Sequence, residues 1–357
     1  MKKADNMQKI VIENNILPIV EELNKCRNAS TFILTDVHTR ELCLPSLLKL
    51  YEVPAEHLIT IEAGDDNKSI DAVMHVWQVL SEKGATRKSL LINLGGGMVT
   101  DLGGFAASTF KRGIDYINIP TTLLGAVDAA VGGKTGFNFN HLKNEIGVIQ
   151  PAVSVLINIG FFKTLSQENL TSGFAEMIKH GLISDATVWR HICETDITNI
   201  DYHTFGDLLR ESIVVKENIV QQDPTEKNIR KSLNFGHTIG HAFESHAIER
   251  GETKLHGYAV AWGMVAELYL SHVKCGFPKE TLYQAIDLIK EYYGAFAIDC
   301  NEYERLYELM THDKKNDVQG TILFTLLSNV GEVKINTIVD KKDVFAALDF
   351  YRDTFGI

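Results

Sequence analysis

The N-terminal half of the chain alternates short runs of β-branched and aliphatic residues with segments of helical periodicity. The apolar runs cover residues 32–34, 57–61, 89–94, 115–119 and 153–159. Helical patterns, such as residues 70–83, lie between several of them. Strands that alternate with helices are typical of a parallel sheet, because parallel neighbours need a crossover connection. We therefore predict an α/β domain with a Rossmann-like parallel sheet.

The pattern changes after about residue 165, where long helix-compatible segments dominate. These segments cover residues 171–183, 205–221, 230–247, 256–275, 279–293 and 342–354, and a short β-like run covers 321–327. We predict that residues 1–165 form the α/β domain and that residues 166–357 form a mostly α-helical domain. A length of 357 residues agrees with two domains of ordinary size.

The charge balance narrows the choice of partners. The chain has 35 Lys and Arg residues against 46 Asp and Glu residues, which gives a net charge of −11. An acidic chain is a poor nonspecific binder of nucleic acid or of anionic membranes, so we expect neither partner. Its five cysteines are widely spaced and no signal-peptide pattern is present at the N-terminus, so we expect a cytoplasmic location.

A glycine-rich turn follows the apolar run at residues 89–94. The segment Gly95–Asp101 leads directly into a helical pattern, so a phosphate group could approach its backbone N–H groups closely. The spacing is not G-x-G-x-x-G, and a tight turn without a ligand remains the alternative. The segment Gly132–Thr135 resembles the end of a Walker A loop, but Asp128 stands where that pattern requires glycine. Lys134 therefore lies in a glycine-rich loop and not in a P-loop.

Four polar residues are spaced to share one helical face: Arg230, Asn234, His237 and His241. Two imidazoles at positions i and i+4 can bind a single metal ion. Glu176, with two histidines, would complete a zinc site of the catalytic type. Spacing alone does not choose the histidines among His180, His237, His241, His246 and His256.

Lys216 lies on an apolar helical stripe. The position agrees with a lysine that extends along the edge of an apolar face, or with a buried cation that pairs with an anion. Lys179 follows Glu176 by three residues, so an intrahelical ion pair is the alternative to a ligand role for that carboxylate.

Several longer motifs resemble the 3-dehydroquinate synthase family of sugar-phosphate cyclases. In chain order they are GGGMVTDLGG at 95–104, RG at 112–113, PTTLL at 120–124, GGKT at 132–135, KN at 143–144, FFKTL at 161–165, AEMIK at 175–179, NFGHTIGH at 234–241, LHG at 255–257 and DKK at 313–315. Recognisable matches extend from about Asp36 to Gly331.

This resemblance implies a lyase of the shikimate pathway of aromatic amino acid biosynthesis. The family converts 3-deoxy-D-arabino-heptulosonate 7-phosphate into 3-dehydroquinate and phosphate. Its members use NAD, which is regenerated in each turnover, and a divalent metal ion, Zn²⁺ or Co²⁺. The resemblance also implies a homodimer, in which Arg112 reaches the site of the neighbouring subunit.

The resemblance also assigns roles to individual residues. The implied metal ligands are Glu176, His237 and His256. The implied catalytic residues are His241 and Glu226 for proton transfer, with Lys134, Arg230 and Asn234. The implied contacts to the body of the substrate are Asp128, Lys134, Lys216, Arg230 and Asn234, and its carboxylate partners are among Lys134, Lys216 and Arg230. The implied contacts to its phosphate are Arg112, Asn144, Lys179 and one of Lys314 and Lys315. The implied NAD contacts are Asp36, Asp65, Lys68, Gly97, Met98, Val99, Thr100, Asp101, Thr121, Thr122, Lys134, Lys143, Phe161, Phe162, Lys163 and Thr164.

Three positions depart from the family pattern. Asp65 stands where the family usually has Glu, Thr100 replaces a usual Gly, and Tyr258 stands where an acidic residue is frequent. The nearest alternative function is a cyclase that makes inosose- or valiolone-like products, whose substrates lack the carboxylate. A metal-dependent alcohol or glycerol dehydrogenase is a second alternative, and a non-catalytic binding protein is a third.

Overall fold

The computed structural model describes residues 8–26, 30–140, 142–311 and 322–357. Its strands are β1 (Lys9–Glu13), β2 (Thr31–Asp36), β3 (Leu58–Ile61), β4 (Leu90–Gly95), β5 (Asp115–Pro120), β6 (Lys134–Phe139), β7 (Leu142–Ile149), β8 (Ser154–Asn158), β9 (Leu323–Asn329) and β10 (Glu332–Ile338). Its helices are α1 (Ile16–Lys25), α2 (Val37–Leu42), α3 (Leu44–Leu48), α4 (Ile70–Glu82), α5 (Gly97–Thr109), α6 (Gln167–Ser184), α7 (Ala186–Cys193), α8 (Phe205–Gln222), α9 (His237–Glu249), α10 (His256–Cys275), α11 (Lys279–Tyr293), α12 (Tyr303–Thr311) and α13 (Lys341–Phe355).

The chain divides into two compact units. The first unit runs to Leu170 and also contains Asp201–Glu217, whereas the second contains Thr171–Ile200 and Asn218–Ile357. A single boundary near residue 165 does not describe the segment that returns to the first unit. None of the helices in the described ranges is long and apolar enough to cross a bilayer.

A six-stranded sheet forms the centre of the first unit. Its strand order is β1-β8-β5-β4-β2-β3, and all neighbouring pairs are parallel, which confirms the predicted parallel sheet. Helices α4 and α5 cover one face, and helices α1 and α3 cover the other. Every residue of β2 and β4 is buried, as expected for strands covered on both faces.

Helix α5 packs closely on the strand that precedes it. A Cβ atom at Gly103 would overlap the side-chain oxygen of Asn93 in β4, so only glycine allows this approach. The helix begins directly after β4, and its N-terminus therefore lies at the carboxyl edge of the sheet. In open α/β folds this edge is where ligands bind.

The second unit is mainly helical, with a hairpin formed by β9 and β10. Helices α9 and α10 approach each other so closely that a Cβ atom at Gly263 would overlap the carbonyl oxygen of Gly236. The prediction of one continuous helix over residues 230–247 is wrong. A short 3₁₀ helix covers Ile229–Asn234, Gly236 adopts a left-handed conformation with φ of 79°, and α9 begins at His237.

Candidate active site

Most of the predicted NAD contacts of the first unit come together at the carboxyl edge of its sheet. Asp36 is the last residue of β2, Gly97–Asp101 form the first turn of α5, and Thr121 directly follows β5. The 3₁₀ helix Ile159–Thr164 follows β8 and contains the predicted residues 161–164. Because these strands are parallel, their carboxyl ends lie on one side, and the sheet brings these segments together.

The glycine turn leaves room for a ligand at the start of α5. Its N-cap is Gly96, so no side chain covers the first N–H groups of the helix. The Thr100 hydroxyl donates to the carbonyl oxygen of Gly97 at 3.0 Å, so this larger side chain folds back onto its own helix. The buried Thr121 hydroxyl has no hydrogen-bond partner within the described ranges. Such an orphan group fits a site that a polar ligand completes.

A buried lysine links three of the predicted positions. The Lys68 ammonium donates to the Asp101 carboxylate at 2.6 Å and also to the side-chain oxygen of Asn144. Burial raises the pKa of the Asp101 carboxyl in spite of the Lys68 charge. The shorter Asp65 is still engaged, since its carboxylate lies 3.2 Å from the Lys143 ammonium.

Lys216 is buried and paired in the first unit, which favours the second of the two interpretations of its position. Its ammonium donates to the backbone oxygen of Asp128 at 2.6 Å and to the carboxylate of the same residue. Lys134 opens β6 and is exposed. The structure thus joins two of the predicted substrate residues, Asp128 and Lys216.

Three helices of the second unit bring the predicted metal ligands together. Glu176 is fully buried in α6, and His237 and His256 are the first residues of α9 and α10. One oxygen of Glu176 lies 3.4 Å from Nε2 of His237 and 3.7 Å from Nε2 of His256. Two imidazole nitrogens and a carboxylate oxygen are a donor set that suits Zn²⁺ or Co²⁺.

Hydrogen bonds orient both histidines toward Glu176. Nδ1 of His237 lies 3.0 Å from the carbonyl oxygen of Phe235, which can only accept, so Nδ1 carries the proton. Nδ1 of His256 lies 3.4 Å from the carboxylate of Glu244. Each ring therefore presents Nε2 to the centre of the cluster, as metal-binding histidines commonly do.

His241 lies beside this pair. Its ring centroid is 5.3 Å from that of His237 and 5.7 Å from that of His256. Nitrogens of the three rings lie within 4.8 Å of one another, so a three-histidine set is also possible on geometry. His246 is held by Glu302 instead, at 2.9 Å. His180 is fully buried in α6, and its ring offers a nitrogen within 4.8 Å of a Glu176 oxygen, so it stays a candidate on geometry. The structure thus sets His246 apart from the other candidate histidines.

Charges around the cluster shift the pKa values of two candidate ligands, Glu176 and His256. Burial alone would raise the pKa of the Glu176 carboxyl, but the charges of Lys179 and His237 hold it well below its usual range. Burial would lower the pKa of His256, but the carboxylates of Glu244 and Glu176 raise it to about 10. Lys179, a predicted phosphate contact, is buried and forms an ion pair with Glu176.

The segment before α9 carries one predicted acid/base residue, Glu226, and two predicted substrate contacts, Arg230 and Asn234. Asn234 donates to the carboxylate of Glu226 at 3.2 Å, and the Arg230 guanidinium donates to the carbonyl oxygen of Pro224 at 2.7 Å. The Asp223 carboxylate accepts the backbone N–H groups of Lys227, Asn228 and Arg230. These bonds keep the pKa of Asp223 below its usual value although its burial acts in the opposite direction.

The sequence prediction missed Asp223 and Glu244. Glu244 follows His237 and His241 at spacings of a helical face, so periodicity contained a signal for it. Asp223 precedes Pro224, a combination typical of a turn that the aspartate side chain stabilises. Neither signal shows which groups these carboxylates bind.

One predicted phosphate contact of the first unit lies away from the glycine turn, and two others are not described. Arg112 is exposed just after the C-terminal end of α5, a helix of 13 residues, so it lies about 20 Å from the helix N-terminus. It is therefore on the opposite edge of the sheet from the glycine turn. Lys314 and Lys315 lie outside the described residues.

Family models for the N-terminal and C-terminal parts of 3-dehydroquinate synthase match residues 58–172 and 173–316. A 3-dehydroquinate synthase of Parabacteroides distasonis is 52% identical over 351 residues, which cover 98% of this chain and 99% of that relative. The chain belongs to the 3-dehydroquinate synthase family. Another relative, a 3-dehydroquinate synthase of Campylobacter jejuni, is 34% identical and covers 98% of each chain.

Solved structures extend this family comparison. A 2-epi-5-epi-valiolone synthase from Streptomyces hygroscopicus, solved with NAD⁺ and Zn²⁺, is 25% identical with a TM-score of 0.84 and covers 98% of both chains. A 2-deoxy-scyllo-inosose synthase has the same TM-score of 0.84 at 22% identity, also over 98% of both chains. A butanol dehydrogenase of Thermotoga maritima has a TM-score of 0.64 at 14% identity and covers 98% of both chains. The last two share the fold of this 3-dehydroquinate synthase family member.

Proposed function

We propose that this member of the 3-dehydroquinate synthase family converts 3-deoxy-D-arabino-heptulosonate 7-phosphate into 3-dehydroquinate and inorganic phosphate. The enzyme is a phosphate-eliminating lyase of the shikimate pathway. The observation that carries this function is the cluster of Glu176, His237 and His256, with His241 beside it, in a chain of this family.

The cofactors that fit are NAD and a divalent ion, Zn²⁺ or Co²⁺. Glu176, His237 and His256 offer the donor set for the metal ion. The open start of α5 and the orphan hydroxyl of Thr121 suit the nucleotide. When bound, NAD⁺ would supply a reversible hydride acceptor, and the divalent ion would supply a Lewis acid for the substrate oxygen.

The remaining residues bind the substrate and move its protons. His241 lies close enough to the ligand pair to exchange a proton with a substrate held there, and Glu226 is a second acid/base. Arg230 binds the substrate carboxylate, for which a planar guanidinium is well suited, and Asn234 contacts the substrate beside it. Lys179 supplies positive charge for the phosphate, so the small anionic sugar phosphate meets local cations in an acidic protein.

We also propose a homodimer in which Arg112 serves the site of the partner. Arg112 lies at the sheet edge opposite to the glycine turn of its own chain. Strand β7 is exposed along most of its length, and it carries the exposed side chains of Ile146 and Ile149. An exposed strand with apolar side chains suits pairing with a second copy. A cytoplasmic location, without nucleic acid or membrane partners, completes the proposal.

The function is tested with the metal-loaded protein, the heptulosonate phosphate and a catalytic amount of NAD⁺. We expect many equivalents of phosphate per NAD⁺ and no net NADH. NADH that accumulates in step with substrate consumption, without phosphate release, would indicate the dehydrogenase function. Turnover of a sugar phosphate that lacks the carboxylate, but not of the heptulosonate, would indicate another cyclase.

A further inference from the structure

A fully buried carboxylate holds the start of α9. Glu267 belongs to α10, about three turns after His256, and it is completely inaccessible to solvent. One of its oxygens accepts the N–H group of Gly236 at 2.6 Å, and the other accepts that of Ile239 at 3.0 Å. Because the N-cap residue is Gly236, the helix has no capping side chain of its own. Glu267 therefore supplies the cap from a neighbouring helix.

The two bonded amides flank a candidate metal ligand. Gly236 directly precedes His237, and Ile239 follows it by two residues. The backbone of His237 is thus fixed on both sides by one side chain. The ring is fixed separately, by the bond between Nδ1 and the Phe235 carbonyl oxygen. Loss of the cap would allow the first turn of α9 to fray, and His237 would then lose its fixed position.

The charge of Glu267 also affects the electrostatics of the cluster. The N-terminus of a helix carries a partial charge of about +0.5. His237 and His256 are both first residues of their helices, so a bound dication would face two positive helix ends. A negative charge at such an end offsets the repulsion. Glu267 places a buried carboxylate at the N-terminus of α9, where little water screens it.

We propose that Glu267 is a positioning residue of the metal centre. It fixes the first turn of α9 so that Nε2 of His237 stays directed toward Glu176, and it offsets the helix charge that opposes a cation. The inference rests on the proposed function, in which Glu176, His237 and His256 hold the divalent ion. Glu267 contributes through the backbone of α9 and is not itself a ligand.

The test compares Glu267→Gln with Asp185→Asn. The first change keeps the shape, removes the charge and leaves a single acceptor oxygen, so it should lower Tm. The second is the charge control, because Asp185 caps α7 in the same unit and accepts the N–H groups of Thr187 and Val188 with a single oxygen, which asparagine keeps. Asparagine caps a helix about as well as aspartate, so Tm should change little. Helix α7 carries none of the candidate ligands, so this variant shows what the loss of a capping charge does away from the cluster.

Metal binding separates the two roles. Competition with a chromophoric chelator measures the dissociation constants for Zn²⁺ and Co²⁺, and the visible spectrum of bound Co²⁺ reports its ligand geometry. We expect about 10- to 100-fold weaker binding and an altered spectrum for Glu267→Gln, with wild-type values for Asp185→Asn. Glu267→Asp keeps the charge with a shorter reach, so it recovers part of the affinity. This variant also carries the comparison if circular dichroism shows that Glu267→Gln does not fold.

Two results would overturn the proposal: wild-type affinity and spectrum in Glu267→Gln, or equal losses in Asp185→Asn. Failure of the proposed function gives a different pattern. In that case the wild-type protein itself binds no Zn²⁺ or Co²⁺, or releases no phosphate from the heptulosonate.

Discussion

Backbone groups hold several charged side chains of the candidate site. The Asp223 carboxylate accepts three N–H groups of the segment that follows it, and Glu267 accepts two N–H groups at the start of α9. Nδ1 of His237 donates to a carbonyl oxygen. Groups fixed in this way lose little conformational freedom when a ligand binds, so they are preorganised.

The hydroxyl of Thr121 gives a prediction for the nucleotide site. It is buried without a partner in the described part of the chain, so Thr121→Val removes an unsatisfied polar group and should raise Tm of the free protein. If the hydroxyl bonds to NAD, the same change weakens NAD binding by about 2- to 12-fold. Calorimetric titration with NAD⁺ measures this.

Thr135→Val is the control for that experiment. Thr135 is also buried, but its hydroxyl donates to the carbonyl oxygen of Val148 at 3.3 Å. This variant should lower Tm and leave NAD binding intact. Unchanged NAD affinity in Thr121→Val would remove Thr121 from the set of nucleotide contacts.

Arg230 gives a prediction for substrate binding. Replacement by Ala removes a charged hydrogen-bond partner of the substrate carboxylate, which costs about 1.5–3 kcal/mol. Steady-state kinetics should therefore show kcat/KM lower by about 10- to 150-fold. Arg305→Ala removes an exposed guanidinium of the same unit, paired with Glu249, and should leave kcat/KM unchanged. Equal kinetics for the two variants would contradict the role of Arg230.

Contacts between helices set the spacing of the metal ligands. A Cβ atom at Gly257 would overlap the carbonyl oxygen of Ser172, and the N–H group of Gly257 donates to the Ser172 hydroxyl at 3.2 Å. Ser172 lies one helical turn before Glu176 in α6, and Gly257 follows His256 in α10. The distance between these two ligands therefore depends on one close contact of α6 with α10.

We expect Gly257→Ala to separate the start of α10 from α6. The overlap should destabilise the protein by about 1–3 kcal/mol, and the movement of His256 should abolish tight metal binding. Gly276→Ala is the control, because Gly276 ends the same helix in a left-handed conformation with no atom close to a new Cβ. Its strain costs a similar ~1–2 kcal/mol. Metal stoichiometry after dialysis distinguishes the variants, and full occupancy in Gly257→Ala would contradict this account.

Periodicity predicts elements well where burial is regular. Both long helices α8 and α10 and the buried strand β4 lie where the pattern places them. It missed β1, which has only five residues at the sheet edge, and β7, whose mostly exposed residues do not alternate between polar and apolar. Periodicity also missed the helix break at Gly236. The close approach of Met264 requires glycine at this position, and Met264 is distant in the chain, so local spacing contains no signal for it.

In the candidate site too, the sequence predicts local relations between residues but not contacts between distant segments. Spacing identifies His237 and His241 as one face, since these residues are close in the chain. It does not connect Glu176 with His256, or Glu267 with Gly236, because those contacts depend on how the helices pack. The family resemblance supplies the first connection, and the second becomes visible only in the structure.

At the scale of the molecule, Arg112 gives the clearest test of the homodimer. We expect Arg112→Ala and His237→Ala each to be inactive as purified proteins. Co-expression should restore activity, because a mixed dimer contains one site in which both residues are intact. With random pairing in a two-fold dimer, about a quarter of the sites are restored. Absence of recovery, with mixed dimers verified by differential tags, would show that Arg112 does not act on the partner's site.

The returning segment Asp201–Glu217 affects how the protein is made. Arg210 donates to the carbonyl oxygen of Ile12 at 3.5 Å, and Lys216 bonds to Asp128, so the segment is an integral part of the first unit. During translation the first unit cannot be completed when Leu170 leaves the ribosome. Its last piece emerges only after Thr171–Ile200 of the second unit has been synthesised. Synthesis of the two units is therefore interleaved, so the first unit cannot finish folding before part of the second has been made.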